Sequence, residues 1–189
     1  MKISGSTILN VWGKSLHQLV NAPSIVPTER NLDTYEIQNA VLVIEHPMNG
    51  LNELLSLEKD RGNDYSDVAH QQYWKVVADK LEKFPRTSVA QIDSIVTKLK
   101  KSLFNRHGYA SIWTPSIDMV SDYPSCIIGV YFMVRNDQLD MTAILRSNDA
   151  WGQALNDMYE LVQVQEKVAR RLQLKVGICL HRGCNRPDV

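Results

Sequence analysis

Apolar residues recur at three- and four-residue spacing in some stretches and form short unbroken runs in others, so the chain alternates between helical and extended signatures. Ile8, Leu9, Trp12, Leu16, Leu19 and Val20 mark a first helix, with Ser4 or Ser6 as the candidate cap. Pro23–Asp33 reads as a loop, Thr34–Glu45 as a strand ending in the run Ala40–Ile44 before Pro47, and Asn49–Leu57 as a short helix. A charged loop, Lys59–Asp67, leads to helices over Gln71–Glu82 and Ser88–Leu103, separated by Pro85. The chain then turns to strands: Tyr109–Trp113, Cys126–Val134 and Leu139–Leu145, the last two joined by the tight polar turn Arg135-Asn136-Asp137. A long helix over about Trp151–Leu172 follows, and Cys179–Val189 has no periodicity. The expected class is α+β, helices packed against a mainly antiparallel sheet, in a single domain over 1–189 with an atypical end at 178–189.

Composition narrows the functional classes. The 189 residues balance 21 Lys plus Arg against 21 Asp plus Glu, so there is no long-range field to gather nucleic acid, and any anion must be met by local cations. The cluster Lys98, Lys100 and Lys101 reads as the solvated face of a helix. No apolar run approaches the ~18 residues of a membrane span, and the N-terminus lacks the apolar core of a signal peptide. Three cysteines, Cys126, Cys179 and Cys184, cannot all pair with one another, which suits a reducing cytoplasm. Cys179, His181 and Cys184 match no standard zinc spacing, and no metal is expected.

Candidate chemistry centres on Pro124-Ser125-Cys126 and, twenty residues on, Arg146-Ser147-Asn148-Asp149. Cys126 reads either as a small core residue or as a nucleophile, which needs a cationic neighbour. Two antiparallel strands joined by a tight turn return position 146 to position 126. Arg146 offers a fork of donors suited to phosphate and Ser147 a hydroxyl, while the box could equally be a helix N-cap, with Ser147 or Asn148 capping the helix that follows.

These residues, with Asn156-Asp157 and Leu174-Lys175-Val176-Gly177, resemble the core of the thymidylate synthase and deoxycytidylate hydroxymethylase superfamily, with spacings that fit from the cysteine onward without a gap. Arg106-His107-Gly108 falls where the family has a paired arginine motif reaching the partner subunit's phosphate. Thr28–Ile37 resembles its N-terminal phosphate loop, with Arg30 as the candidate contact, and Glu53-Leu54-Leu55 resembles its catalytic glutamate segment.

The resemblance implies a thymidylate synthase-type fold, a homodimer, a pyrimidine nucleoside monophosphate as substrate and 5,10-methylenetetrahydrofolate as co-substrate. It implies a thiolate at Cys126 adding to C6 of the pyrimidine, so that C5 can attack a one-carbon unit. Arg146, Ser147, Asp149, Arg30 and the partner subunit's Arg106 are implied in substrate binding, and Glu53 as proton shuttle, a role suited to a partly buried carboxyl. Base choice rests on Asp157, at the position of an asparagine in uracil-specific members. A carboxylate there accepts from a cytosine amino group, favouring a (deoxy)cytidylate 5-hydroxymethylase over dUMP methylation. Asn156, one residue away, restores a uracil reader if the helix register slips by one.

Three departures stand out. Ile127 follows the cysteine where the synthase branch has histidine, and His107 replaces the second arginine of the pair. The family's sugar-binding His-x-Tyr would fall at about 187–189, where Pro187-Asp188-Val189 stand. The strands and the folate-closing segment that follow in the family are expected to be missing, which keeps open a degenerate nucleotide-binding protein without turnover.

Overall fold

The computed structural model describes residues 1–21, 25–27, 33–62, 68–84 and 89–186, with side chains described for all of these except 68–73 and 184–186. The elements in chain order are β1 (Lys2–Gly5), α1 (Ile8–Val20), β2 (Ile25–Pro27), β3 (Asp33–Tyr35), β4 (Ile37–Ile44), α2 (Leu51–Asp60), α3 (Val68–Glu82) and α4 (Gln91–Lys101). They continue with β5 (Tyr109–Ser111), α5 (Pro115–Asp118), β6 (Ile127–Arg135), β7 (Gln138–Leu145), β8 (Asn148–Asp149), α6 (Ala154–Leu172) and β9 (Lys175–Arg186). No helix among the described residues is long and apolar enough to cross a membrane.

The main sheet has the order β1-β4-β9-β7-β6-β5, with β8 alongside β9. The ladders β4–β9, β6–β7 and β5–β6 are antiparallel, while β1–β4, β7–β9 and β8–β9 are parallel. The fold is thus the expected α+β class, with parallel pairs at the crossovers. Alternate residues split between two faces. Leu42 and Ile44, Val130, Phe132 and Val134, and Leu139, Met141, Ala143 and Leu145 point inward and are buried. Over them pack Ile8, Val11 and Leu19 of α1, Ile92, Ile95, Val96 and Leu99 of α4, and Met158, Leu161, Val162 and Val168 of α6. Each set recurs at helical spacing, so burial of one stripe explains both the helices and their placement.

Several expectations change. Thr7, not Ser4 or Ser6, caps α1: its side chain accepts from the Asn10 N–H at 3.2 Å, while Ser4 lies within β1. The expected loop at 23–33 contains β2, which pairs with β3, and Glu36 breaks the expected strand 34–45 into β3 and β4. Most consequentially, residues 179–186, expected to carry no periodic structure, belong to β9, which lies between β4 and β7 in the middle of the sheet. Its inward side chains include Cys179 and His181, with sulfur and Nε2 3.4 Å apart. Burial pushes the His181 imidazole down to about 4 and the Cys179 thiol far up, so both are neutral and behave as core residues. Pro187-Asp188-Val189 and Arg30 lie outside the described residues.

Gly108 sits where β5 approaches β6, and a Cβ there would lie 2.5 Å from the Phe132 carbonyl oxygen. Gly108→Ala is expected to cost about 1–3 kcal/mol in urea denaturation, because backbone must shift to relieve the clash. Gly13→Ala, in helix α1 with nothing within 4 Å of the new Cβ, serves as control and is expected to stabilise.

Candidate active site

The site begins with a hairpin. Asn136 and Asp137 both adopt positive φ (49° and 57°), the primed-turn geometry whose twist matches the flanking strands. From Arg135↔Gln138 the ladder runs back to Ile127↔Leu145, with one irregularity between Ile127 and Gly129. The next pair is Cys126 and Arg146, held by the Arg146 N–H donating to the Cys126 carbonyl at 2.9 Å. The Arg146 side chain then folds back: Nη2 donates to the Pro124 carbonyl at 2.9 Å and Nε to the Ser125 carbonyl at 3.2 Å. That leaves Nη2 3.8 Å and the Ser147 hydroxyl 3.7 Å from the Cys126 sulfur, which is partly exposed. Donors from a guanidinium and a hydroxyl therefore converge on an accessible thiol, the surroundings a sulfur nucleophile needs.

The loop before Cys126 is anchored by residues that sequence reasoning passed over. Asp118 accepts from the Thr114 N–H at 2.6 Å and from the Ser125 N–H at 2.9 Å, and Lys80 Nζ lies 3.0 Å from the Ser125 hydroxyl and 3.6 Å from Asp118. Burial works to raise the Asp118 carboxyl, but the Ser125 and Thr114 amides and the Lys80 ammonium outweigh it and hold it below its ordinary value. A lysine on α3 and an aspartate on α5 carry no sequence signature linking them to position 125.

The second half of the Arg-Ser-Asn-Asp box is a turn. Asp149 Oδ1 accepts from the Trp151 N–H at 3.0 Å and the Gly152 N–H at 2.9 Å, closing the turn that leads into α6. Asn156 and Asp157, in the first turn of α6, are buried, and the Oδ1 of each has no hydrogen-bond partner among the described residues. Burial, with the Asp149 charge second, pushes the Asp157 carboxyl up to about 7. Gln165 Nε2, at 3.3 and 3.2 Å from the Gly177 and Ile178 carbonyls, fixes α6 over β9. Stepping back eight residues along the helix covers about 12 Å, which matches three or four residues of strand. Asp157 therefore lies toward the later part of β9, where Arg182 pairs across the sheet with Ile144, near the Cys126–Arg146 end.

Two other expected residues, Arg106 and Glu53, are exposed. Arg106 is exposed ahead of β5, its carbonyl accepting from the Tyr131 hydroxyl at 2.9 Å. Tyr131 is five positions along β6 from Cys126, about 16 Å away. Glu53 is exposed in the first turn of α2, entered through Gly50 at φ 73°, rather than partly buried as expected. The buried carboxylate of that helix is Glu58, fully enclosed and ion-paired with Arg61. The Arg61 guanidinium stacks 5.0 Å from the Trp12 ring and 4.6 Å from the Trp151 ring and donates to the Trp151 carbonyl, while Trp12 Nε1 donates to the Ala150 carbonyl at 2.7 Å. This clamp ties α1 and α2 to the turn that starts at Asp149. Its signal lies in the tryptophans at 12 and 151 and the arginine after α2, which spacing alone does not connect.

A family model described as thymidylate synthase matches residues 33–185, and the chain belongs to that family. The match takes in the cysteine hairpin, the Arg146–Asp149 turn, the Asp157 helix and β9. Among curated proteins, one from Methanococcoides burtonii is 28% identical over 181 residues, covering 93% of this chain and 83% of its own length. One from Methanothermobacter marburgensis is 26% identical over 199 residues, covering 95% and 89%, and both carry the name "putative thymidylate synthase".

The Asp157 environment makes a stability prediction. Its carboxyl titrates near 7 in the folded chain and near 3.8 when unfolded, so between those values the folded state holds a proton the unfolded state has released. This group's contribution to stability is complete at low pH and is lost as pH rises through about 7. Asp157→Asn is therefore expected to raise Tm at pH 8, with the gain narrowing toward pH 4, as measured by thermal denaturation. In the native protein iodoacetamide is expected to alkylate Cys126 and spare Cys179 until denaturant is added, as read by peptide mass spectrometry.

Proposed function

We propose that the protein transfers a one-carbon unit to C5 of a pyrimidine nucleoside monophosphate, with hydroxymethylation of a cytidylate as the favoured reaction. The observation that carries this reading is the convergence of the Arg146 guanidinium and the Ser147 hydroxyl on the accessible Cys126 sulfur, 3.8 and 3.7 Å away. Deprotonated, Cys126 adds to C6 and moves the ring's π electrons onto C5, which then forms the new carbon–carbon bond. Methylenetetrahydrofolate supplies the one-carbon unit at the oxidation level of formaldehyde. The half-exposed Trp151 indole, backed by Arg61 and adjoining Asp149, gives a flat ring a surface to lie on. Loss of the C5 proton, assigned to Glu53 acting through water, breaks the bond from the new carbon to the folate nitrogen, so that tetrahydrofolate leaves and an exocyclic methylene remains. Water then adds to that methylene and the Cys126 sulfur leaves C6, restoring the ring.

Asp157 supports the cytosine preference. A buried carboxyl near 7 shares one proton with a cytosine edge in either ionisation state, donating to N3 or accepting from the C4 amino group. Ionised, it faces the O4 of uracil with a like partial charge. A second reading, methylation of dUMP, is favoured by the names of the relatives and by Asn156, buried beside Asp157 with its own Oδ1 unpartnered among the described residues.

We assign the active form as a homodimer. The outer sheet face carries an apolar groove of about 430 Å³ lined by Val41, Val43, Tyr131, Met133, Thr142 and Leu180, among others. Arg106 stands at its Tyr131 rim, too far from its own Cys126 to act there but free to cross a two-fold axis.

Tritium release from C5-labelled dCMP, CMP and dUMP with methylenetetrahydrofolate tests the proposal. Release from cytidylates alone is the expected result. Release from dUMP alone transfers the assignment to methylation, and no release from any substrate overturns the enzymatic reading. Asp157→Asn is expected to move preference toward uracil, and wild-type binding of dUMP, followed by calorimetry, is expected to fall roughly tenfold per pH unit above 7 as the carboxyl ionises.

A further inference from the structure

Arg182 is exposed on the outer side of β9, opposite the buried Cys179 and His181, and has no hydrogen bond or ion pair among the described residues. It shares an open groove of about 480 Å³ with Arg146, Glu36, Gln38, Asn39 and Gly183. Strand register makes this proximity firm: Arg182 pairs with Ile144 of β7, two residues before Arg146, and with Val41 of β4. Arg146 turns its Nε and Nη2 toward the Pro124 and Ser125 carbonyls and the Cys126 sulfur, which leaves Nη1 without a partner among the described residues. Two guanidinium groups thus present unused donors to one groove of ligand-binding size. Glu36 contributes the opposing charge, and its Oε1 accepts from the Gln38 amide at 2.8 Å.

We propose that Arg182 is a second phosphate-binding arginine of the same chain, so that a phosphomonoester dianion lies between the guanidinium groups of Arg146 and Arg182. The inference rests on the nucleotide reading above and adds to it a residue from β9. Arg146 alone has one edge committed to the cysteine loop and can offer the anion only what remains. A planar fork from the neighbouring strand supplies the bidentate contact that Arg146 lacks. The same arrangement divides the labour at Arg146: one edge holds the sulfur's surroundings, the other holds the phosphate. The Glu36 carboxylate balances the two cations while the groove is empty and competes with the incoming dianion.

The test titrates the full chain by calorimetry with dUMP, CMP, the nucleosides deoxyuridine and cytidine, and inorganic phosphate. Arg182→Ala is expected to weaken both nucleotides and inorganic phosphate by about tenfold or more while leaving the nucleosides unchanged. Arg182→Lys is expected to recover part of the loss by restoring the charge without the fork. Glu36→Gln is expected to tighten nucleotide and phosphate binding, and since Arg182 is exposed, Arg182→Ala should keep the wild-type Tm. Nucleotide affinity in Arg182→Ala within about twofold of wild type, or an equal loss for nucleoside and nucleotide, overturns the assignment. Turnover of a nucleotide with Arg182 dispensable removes this inference alone. Arg182-dependent binding of inorganic phosphate without affinity for any pyrimidine nucleotide removes the proposed function and keeps the anion site. A wild-type protein that binds neither overturns both.

Discussion

Residues 126 and 146 meet because a two-residue turn at Asn136–Asp137 sends β7 back along β6 in a single register. That register is the constraint on which the site depends. Side chains alternate between faces of a strand, so a slip of one residue would carry Arg146 to the opposite face and leave the cysteine without its guanidinium. The 2.9 Å bond from the Arg146 amide to the Cys126 carbonyl closes the hairpin at the point where chemistry is needed. Beyond it, the chain continues directly into Ser147, the Asp149 turn and α6. Placing one pair of backbone atoms thus places the hydroxyl, the turn and the start of α6 together.

Two buried carboxylates flank this hairpin in opposite ionisation states, and the difference lies in their donors. Asp118 is met by two backbone amides and a lysine, which hold it ionised and pin the loop before the cysteine. Asp157 has an oxygen without a hydrogen-bond partner among the described residues and a neighbouring aspartate, so burial keeps it protonated to near neutral pH. The first is a structural anchor, whereas the second leaves hydrogen-bonding capacity unspent, at some cost in stability. In the proposed function, that unspent carboxyl is the group that distinguishes the two pyrimidine edges. The Glu58–Arg61 pair adds a third arrangement: a charge enclosed by packing, whose counterion lies against two neighbouring indoles and helps fix the turn at Asp149.

The hairpin and the helices α1, α4 and α6 were legible because each buries one regular stripe, and periodicity reports burial. Cys126, Arg146 and Ser147 were legible for a related reason, since a tight turn between two apolar runs has one sensible closure. β9 was not. Its inward positions carry Cys179 and His181 beside Gly183, residues that pack well in this core but read as polar or neutral in sequence. β1 is four residues long, too short to show a period. Lys80, Asp118, Glu58 and Arg61 act through partners distant in sequence, and no local spacing encodes such pairs. Glu53 matched a segment pattern, yet the first turn of α2 faces solvent. Arg182 looked like one more charge in an aperiodic tail until strand register set it beside Arg146.

The central claim is that the sulfur of Cys126 adds to a pyrimidine ring held by the Arg146 end of the sheet. Intact and peptide mass spectrometry after incubation with a 5-fluoropyrimidine nucleotide and methylenetetrahydrofolate tests it most directly, because fluorine at C5 cannot leave as the proton does and the adduct is trapped. The account predicts a mass increase equal to nucleotide plus folate, located on the peptide containing Cys126 and absent from Cys126→Ser. Bound nucleotide with an unmodified Cys126 would contradict it.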